Sequence, residues 1–152
     1  MSTIGFDTSN YTTSTAWTDG KTDINVRQIL YVKDGERGIR QSDGVFQHMK
    51  LMPVMYEKLS EQIDFKDVKA VGVSTRPRCV EGSYMPVFLA GEGYAKVVAN
   101  TVGVPLYEFS HQDGHIMAGI YSSGSFELLE NDFISVHLSG GTCLLYTSPS
   151  PR

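Results

Sequence analysis

The sequence is poor in cysteine: Cys79 and Cys143 are the only two in 152 residues. Two thiols this far apart make no disulfide framework, so a reducing, cytoplasmic setting is the expectation. A surplus of positive charge is also missing. Thirteen Lys and Arg stand against seventeen Asp and Glu, a net charge of −4. Nothing here provides the basic footprint of non-specific nucleic-acid binding, and any nucleic acid has to be met through a local patch or a partner. No apolar run approaches the roughly 20 residues that a membrane helix needs. The opening MSTIGFDTSN has neither a basic n-region nor a long apolar stretch, so neither a signal peptide nor a membrane span is expected. What is present is the ordinary material of a globular domain, 41% apolar and 20% charged, in a chain long enough to bury one core.

Three strand-like segments come first: TIGFD (3 to 7), YTTSTAWTD (11 to 19) and INVRQILYV (24 to 32), rich in β-branched and aromatic residues and separated by short polar breaks. They read as an antiparallel opening. From Val45 to Ile63 apolar residues recur every three or four positions (Val45, Met49, Met52, Tyr56, Leu59, Ile63), which predicts an amphipathic helix capped at Asp43 and kinked at Pro53. VKAVGVST (68 to 75) suits a central parallel strand. A helix from about Pro86 to Val102 follows, with Gly103 as its stop, and PLYEFS (105 to 110) forms a second parallel strand leading into a histidine-bearing helix. The order βββαβα is that of a ribonuclease-H-like α/β layer. FISVHLSGG (133 to 141) reads as the first strand of a second layer. The expected organisation is therefore a first lobe over 1–131 and the start of a second over 132–142.

The last ten residues, CLLYTSPSPR, bring two prolines and no recognisable continuing element. This decapeptide, 143–152, resembles the translation in one frame of a common transposon-based sequencing-library adapter, and it is set apart from the fold expectation as a non-native scar. On that reading Cys79 is the one natural cysteine, the chain stops inside a domain, and FISVHL lacks its partner strands.

Several short stretches can carry chemistry. The hairpin DTSNYTTS (7 to 14) offers backbone N–H groups and the hydroxyls of Thr8, Ser9, Thr12, Thr13 and Ser14, which suits an anion held where two strands turn. It is equally an ordinary polar turn. SGGT (139 to 142) permits close backbone approach to a phosphate through Gly140 and Gly141, or is a plain turn. In SHQDGHIMAG, His111 and His115 lie one helical turn apart, with β-carbons roughly 6 Å from each other, so two imidazoles can converge on one ion. A solvated helix end is the competing reading; Gly114, unfavourable in a helix by about 1 kcal/mol relative to Ala, weighs mildly against it. His48 reads as a boundary residue and His137 as core or interface. RPRC (76 to 79) places two cations beside a thiol, which suits an acyl or phosphate group as well as a solvated loop. No general base accompanies the histidine pair as in H-E-x-x-H, so a peptidase has no support.

IGFDTSNYTTS, AVGVSTRPR, FSHQDGHIMAG and FISVHLSGGT occur in the order and approximate spacing of the TsaD-type, glycoprotease-like family, and together they resemble it over residues 3 to 142. The resemblance implies an actin-like ATPase fold and, for its best-known members, transfer of a threonylcarbamoyl group from an adenylate to an adenine of tRNA. It implies that His111 and His115, matching the H-x-x-G-H signature, hold one divalent metal ion, iron- or zinc-like. The third ligand is then an acidic residue from the far C-terminal part of the family, with Asp7 the only local substitute. It also implies that Asp7, Thr8, Ser9, Asn10, Thr12 and Thr13, together with Ser139, Gly140 and Gly141, bind an adenine nucleotide or acyl-adenylate. The implied partners are tRNA and a protein of the same fold.

The chain departs from the family at telling places. Tyr11 and Thr12 stand where acidic residues are usual, Arg76, Pro77 and Arg78 replace a Gly-Pro-Gly turn, and Thr142 replaces a histidine. These departures imply a divergent paralogue with the fold and metal site retained and a different acceptor or acyl group; as a truncated 152-residue chain it is expected to be inactive. A non-catalytic partner subunit of the same fold, or a small-molecule kinase of the same superfold, remain the alternatives.

Overall fold

The structure is a computed structural model that describes residues 1–36, 38–139 and 142–148. It divides into two compact units, Met1–Gln112 and a second starting at Asp113.

The first unit is built on a five-stranded sheet. β1 (Ser2–Asp7), β2 (Thr12–Thr18) and β3 (Asp23–Ile29) form an antiparallel meander, followed by α1 (Gln41–Ser60), β4 (Val68–Arg76), α2 (Phe88–Val102) and β5 (Leu106–Ser110). The strand order is β3-β2-β1-β4-β5, with β1, β4 and β5 parallel. This is the expected ribonuclease-H-like layer and the first lobe of an actin-like fold. Alternation along β1 and β4 turns Ile4, Phe6, Val71 and Val73 to one face, where they meet Met52 and Leu59 of α1 and Ala95 and Ala99 of α2. Full burial of each larger member stabilises by about 1.5–3 kcal/mol. α2 ends at Gly103 in the left-handed region (φ 77°), its N–H bonded to the Ala99 carbonyl, as the glycine stop predicts.

α1 differs from expectation in two respects. It starts at Gln41 after Arg40, with no side-chain cap, so Asp43 lies inside the first turn. Its buried stripe is Gly44, His48, Met52, Met55 and Leu59, whereas Met49 is 47% exposed. The apolar letters alone misplace the phase because the stripe contains a histidine and a glycine. Pro53 lies inside the helix. A proline has no N–H for the carbonyl four residues back, here Met49, and the Tyr94 hydroxyl of α2 donates to that carbonyl at 2.9 Å. The consequence of the proline is met from the neighbouring helix.

The second unit carries most of α3 (His111–Ser123), a 3-10 turn at Phe126–Glu130, and the strands β6 (Phe133–Ser139) and β7 (Thr142–Ser148). β6 and β7 pair antiparallel from Phe133↔Ser148 to Ser139↔Thr142. A further strand thus exists where none was expected to continue, and β6 has a partner; Thr, Leu and Tyr in 142–148 are good strand residues. Among the described residues no helix is long and apolar enough to cross a membrane.

Candidate functional site

Three chain segments reach the carboxyl edge of the parallel strands: the β1–β2 hairpin after Asp7, the loop after Arg76, and the start of α3 after Ser110. Open α/β sheets collect ligands at this edge, because the loops leave the strands there and side chains from several of them converge. Asp7 and His111, 104 positions apart in sequence, meet at it. Asp7 Oδ2 lies 2.9 Å from His111 Nδ1, with both side chains about 30% exposed. Burial would raise the Asp7 carboxyl, but the hydrogen bond and charge of His111, with hydrogen bonds from Ser9 and Ser74, outweigh it and bring the pKa down to about 2. The Ser9 N–H donates to Asp7 Oδ1 at 2.7 Å, which ties the carboxylate to its own turn. The Phe88 ring lies 6.3 Å from the imidazole.

The hairpin divides its hydroxyls between fold and surface. Thr8 is fully buried; its hydroxyl donates to the Val87 carbonyl at 2.8 Å and accepts from the Gly91 N–H at 3.0 Å. Val87 and Gly91 are the acceptor and donor of what would be an i→i−4 bond in the first turn of α2, so Thr8 stands as a bridge inside that bond. Gly91 is required, since a Cβ there would come within 2.8 Å of the Thr8 hydroxyl. Thr13, also buried, pairs its hydroxyl with His48 Nδ1 at 2.8 Å. His48 Nε2 is buried with no hydrogen-bond partner among the described residues. Desolvation lowers the His48 pKa, opposed by the Asn10 backbone and the charge of Asp7. Of the predicted nucleotide-binding set, Ser9, Asn10 and Thr12 stay at the surface or half-buried. Asn10 adopts φ 46°, the left-handed turn conformation that Asn tolerates.

The other predicted residues are spread more widely. Arg76 donates to the Thr75 hydroxyl at 3.2 Å and to Cys79 Sγ at 4.0 Å, and the Arg78 N–H donates to the Ser83 hydroxyl, so the RPRC segment is an ordered loop with an exposed thiol. Ser139 ends β6, opposite Thr142. Gly140 and Gly141 lie outside the described residues.

His111 and His115 share α3, one turn apart. With Nδ1 of His111 engaged by Asp7, Nε2 is the nitrogen that would coordinate a metal, the carboxylate–histidine arrangement that fixes tautomer and ring orientation in metal ligands. The donor set thus fits a metal in part: among the described residues no group of three or more His, Cys, Asp or Glu is placed to hold an ion. His137, expected in a core or interface, is half-buried with its ring centroid 4.7 Å from that of His115. Sequence reasoning missed the roles of His48 and His137, and no local signal carries either.

Comparison with known proteins agrees with this architecture. The family model for TsaD, tRNA N6-adenosine threonylcarbamoyltransferase, matches residues 35–150. A protein of that description from Pyrobaculum calidifontis is 28% identical over 128 residues, covering 83% of this chain and 36% of its own length. One from Clostridium kluyveri is 33% identical over 102 residues, covering 65% and 28%. This chain thus spans about a third of the length of the curated relatives it matches. Among solved structures, YeaZ from Pseudomonas aeruginosa superimposes with a TM-score of 0.54 at 13% identity, over 97% of this chain and 65% of its own, a likeness of fold. With the family model matched over more than half of its residues, the chain belongs to the TsaD family.

Proposed function

We propose that this chain supplies the metal- and nucleotide-facing lobe of a protein that transfers a carbamoyl-type acyl group from an adenylate, the reaction class of the family to which it belongs. The observation that carries the reading is the Asp7–His111 pair at the carboxyl edge of the sheet. A carboxylate that accepts from Nδ1 presents the other imidazole nitrogen in a defined direction, and His115 follows one turn later on the same helix. His111 and His115 would hold a divalent ion, iron- or zinc-like, which would supply Lewis-acid polarisation of an acyl-adenylate. The protein's own part is positioning. Asp7 holds His111 and accepts from the Ser9 N–H; the Ser9 and Thr12 hydroxyls and the Asn10 backbone N–H are offered to phosphate; Thr8 and Thr13 support the hairpin from behind by anchoring it to α2 and α1.

Tyr11 and Thr12 remove negative charge from this hairpin, and Arg76 and Arg78 add positive charge to a loop at the same edge, so the site favours a more anionic ligand than an acidic loop accepts. The reading expects metal-dependent binding of adenine nucleotide, and weak or absent threonylcarbamoyl transfer to tRNA by the 152-residue chain. Residues 143–152, read as a translated adapter, contribute nothing to it. A partner subunit of the same fold is the second reading, supported by the YeaZ-like architecture. Calorimetric titration with ADP, with and without metal, joined to a transfer assay on tRNA, decides. Nucleotide binding lost on His111→Ala supports the first reading, metal-independent binding supports the second, and no adenine-nucleotide binding refutes the first.

A further inference from the structure

β3 is an outer strand of the five-stranded sheet, so one side of its backbone has no strand beside it. The register shows which groups lie there. Leu30 N–H donates to the Tyr11 carbonyl at 2.8 Å and Asp19 N–H to the Thr22 carbonyl at 3.3 Å, so along β3 the even-numbered residues turn their backbone groups to β2. Those of the odd-numbered residues turn outward. At Tyr31, the odd position just past the strand, the Gln47 side chain occupies that side: its Oε1 accepts from the Tyr31 N–H at 2.8 Å and its Nε2 donates to the Tyr31 carbonyl at 3.0 Å. A side-chain amide thus takes the place of a neighbouring strand. Asn25, Arg27 and Ile29 have no such cover, and their outward N–H and C=O groups are without a protein partner among the described residues. β3 also lacks two of the usual devices that keep an edge single, since it holds no proline and its register with β2 runs unbroken from Asp23 to Ile29.

Charge is a third such device, and here it selects a partner. Asp23, Asn25, Arg27 and Ile29 are exposed on one face of β3, opposite to Ile24 and Val26, which pack against the core. In an antiparallel pair about a two-fold axis at Asn25, Asp23 of each copy stands opposite Arg27 of the other, so one symmetry makes both ion pairs. An axis at Arg27 would set like charges face to face, and one at Val26 would set Arg27 against Asn25. We infer that β3 is a self-pairing edge through which two copies of this chain join their sheets, in the register that sets Asp23 against Arg27. The outward backbone groups of Asn25 and Arg27 supply the ladder, and the charges fix its register. This goes beyond the function proposed above and needs neither the metal nor the nucleotide.

The test is sedimentation velocity of the 152-residue protein across a micromolar concentration series, for wild type, Asn25→Pro, Arg27→Asp and the double variant Asp23→Arg/Arg27→Asp, with far-ultraviolet circular dichroism as the folding control. Proline at 25 removes an N–H that the sheet of the monomer does not use, so the fold tolerates it while the intermolecular ladder does not. The expected result is a wild-type dimer, association weaker by about tenfold or more in Asn25→Pro and in Arg27→Asp, and recovery to within about threefold of wild type in the double variant, where the two charges have exchanged places. A monomer at every concentration overturns the inference. So does association left unchanged by Asn25→Pro or by Arg27→Asp, which assigns it to another surface, and so does a double variant as weak as Arg27→Asp alone. If Asn25→Pro does not fold, the charge exchange decides, because Asp23 and Arg27 are exposed and their substitution leaves the core untouched.

Discussion

Removing the Thr13 hydroxyl should expose how the β1–β2 hairpin is held to α1. Thr13 and His48 are both fully buried and joined at 2.8 Å, and His48 Nε2 has no second partner among the described residues. Thr13→Val keeps the shape and leaves Nδ1 unsatisfied as well, a loss of about 1–3 kcal/mol. The double variant Thr13→Val/His48→Leu replaces both partners by apolar groups and should be less destabilised than the sum of the single variants. The pH dependence has a defined sign. Burial depresses the His48 pKa below its ordinary 6.5, so the unfolded chain takes up the proton first. The stability contribution is complete above pH 6.5 and is lost as the pH falls from there toward the folded-state pKa, with a slope of at most about 1.4 kcal/mol per pH unit for one proton. Urea denaturation from pH 8 to pH 5 measures it. His48→Leu should flatten this limb, and a limb that keeps its slope in His48→Leu would refute the reasoning, because the titrating group would then lie elsewhere.

Tyr94→Phe should destabilise by about 0.5–1.5 kcal/mol by leaving the Met49 carbonyl without its donor, and by much less in a Pro53→Ala background, where the restored N–H reaches that carbonyl; a double-mutant cycle by urea melts without coupling would contradict it. Gly91→Ala should lower the melting temperature even though alanine favours helices by about 1 kcal/mol, since its Cβ collides with the Thr8 hydroxyl; a raised melting temperature would disprove the bridge. Thr8→Val, which removes the bridge without adding bulk in α2, should cost about 1–3 kcal/mol in the same melts. Asp7→Asn should weaken metal binding through His111 by about 10- to 100-fold in calorimetric titration, and equal affinity would show that Asp7 does not orient a ligand.

By itself the sequence determined the order of elements from β1 to α3, because each depends on neighbours a few residues away. The β-branched alternation of 2–7 and 12–18, the apolar run of 68–76 and the glycine stop at Gly103 are local features, and the structure reproduces them within a few residues. The i, i+4 spacing of His111 and His115 was legible for the same reason. Only the tertiary structure decided which face of α1 is buried, since His48 counts as polar in any local pattern and is buried by its bond to a threonine 35 positions away. The same holds for Thr8, whose hydroxyl reads as a candidate phosphate ligand until α2 closes on it. Within the first unit the pairing of Asp7 with His111 arises from the parallel strand order, and within the second the contact of His115 with His137 arises from the return of β6 along α3. A one-dimensional period carries no record of such meetings; they are made by topology.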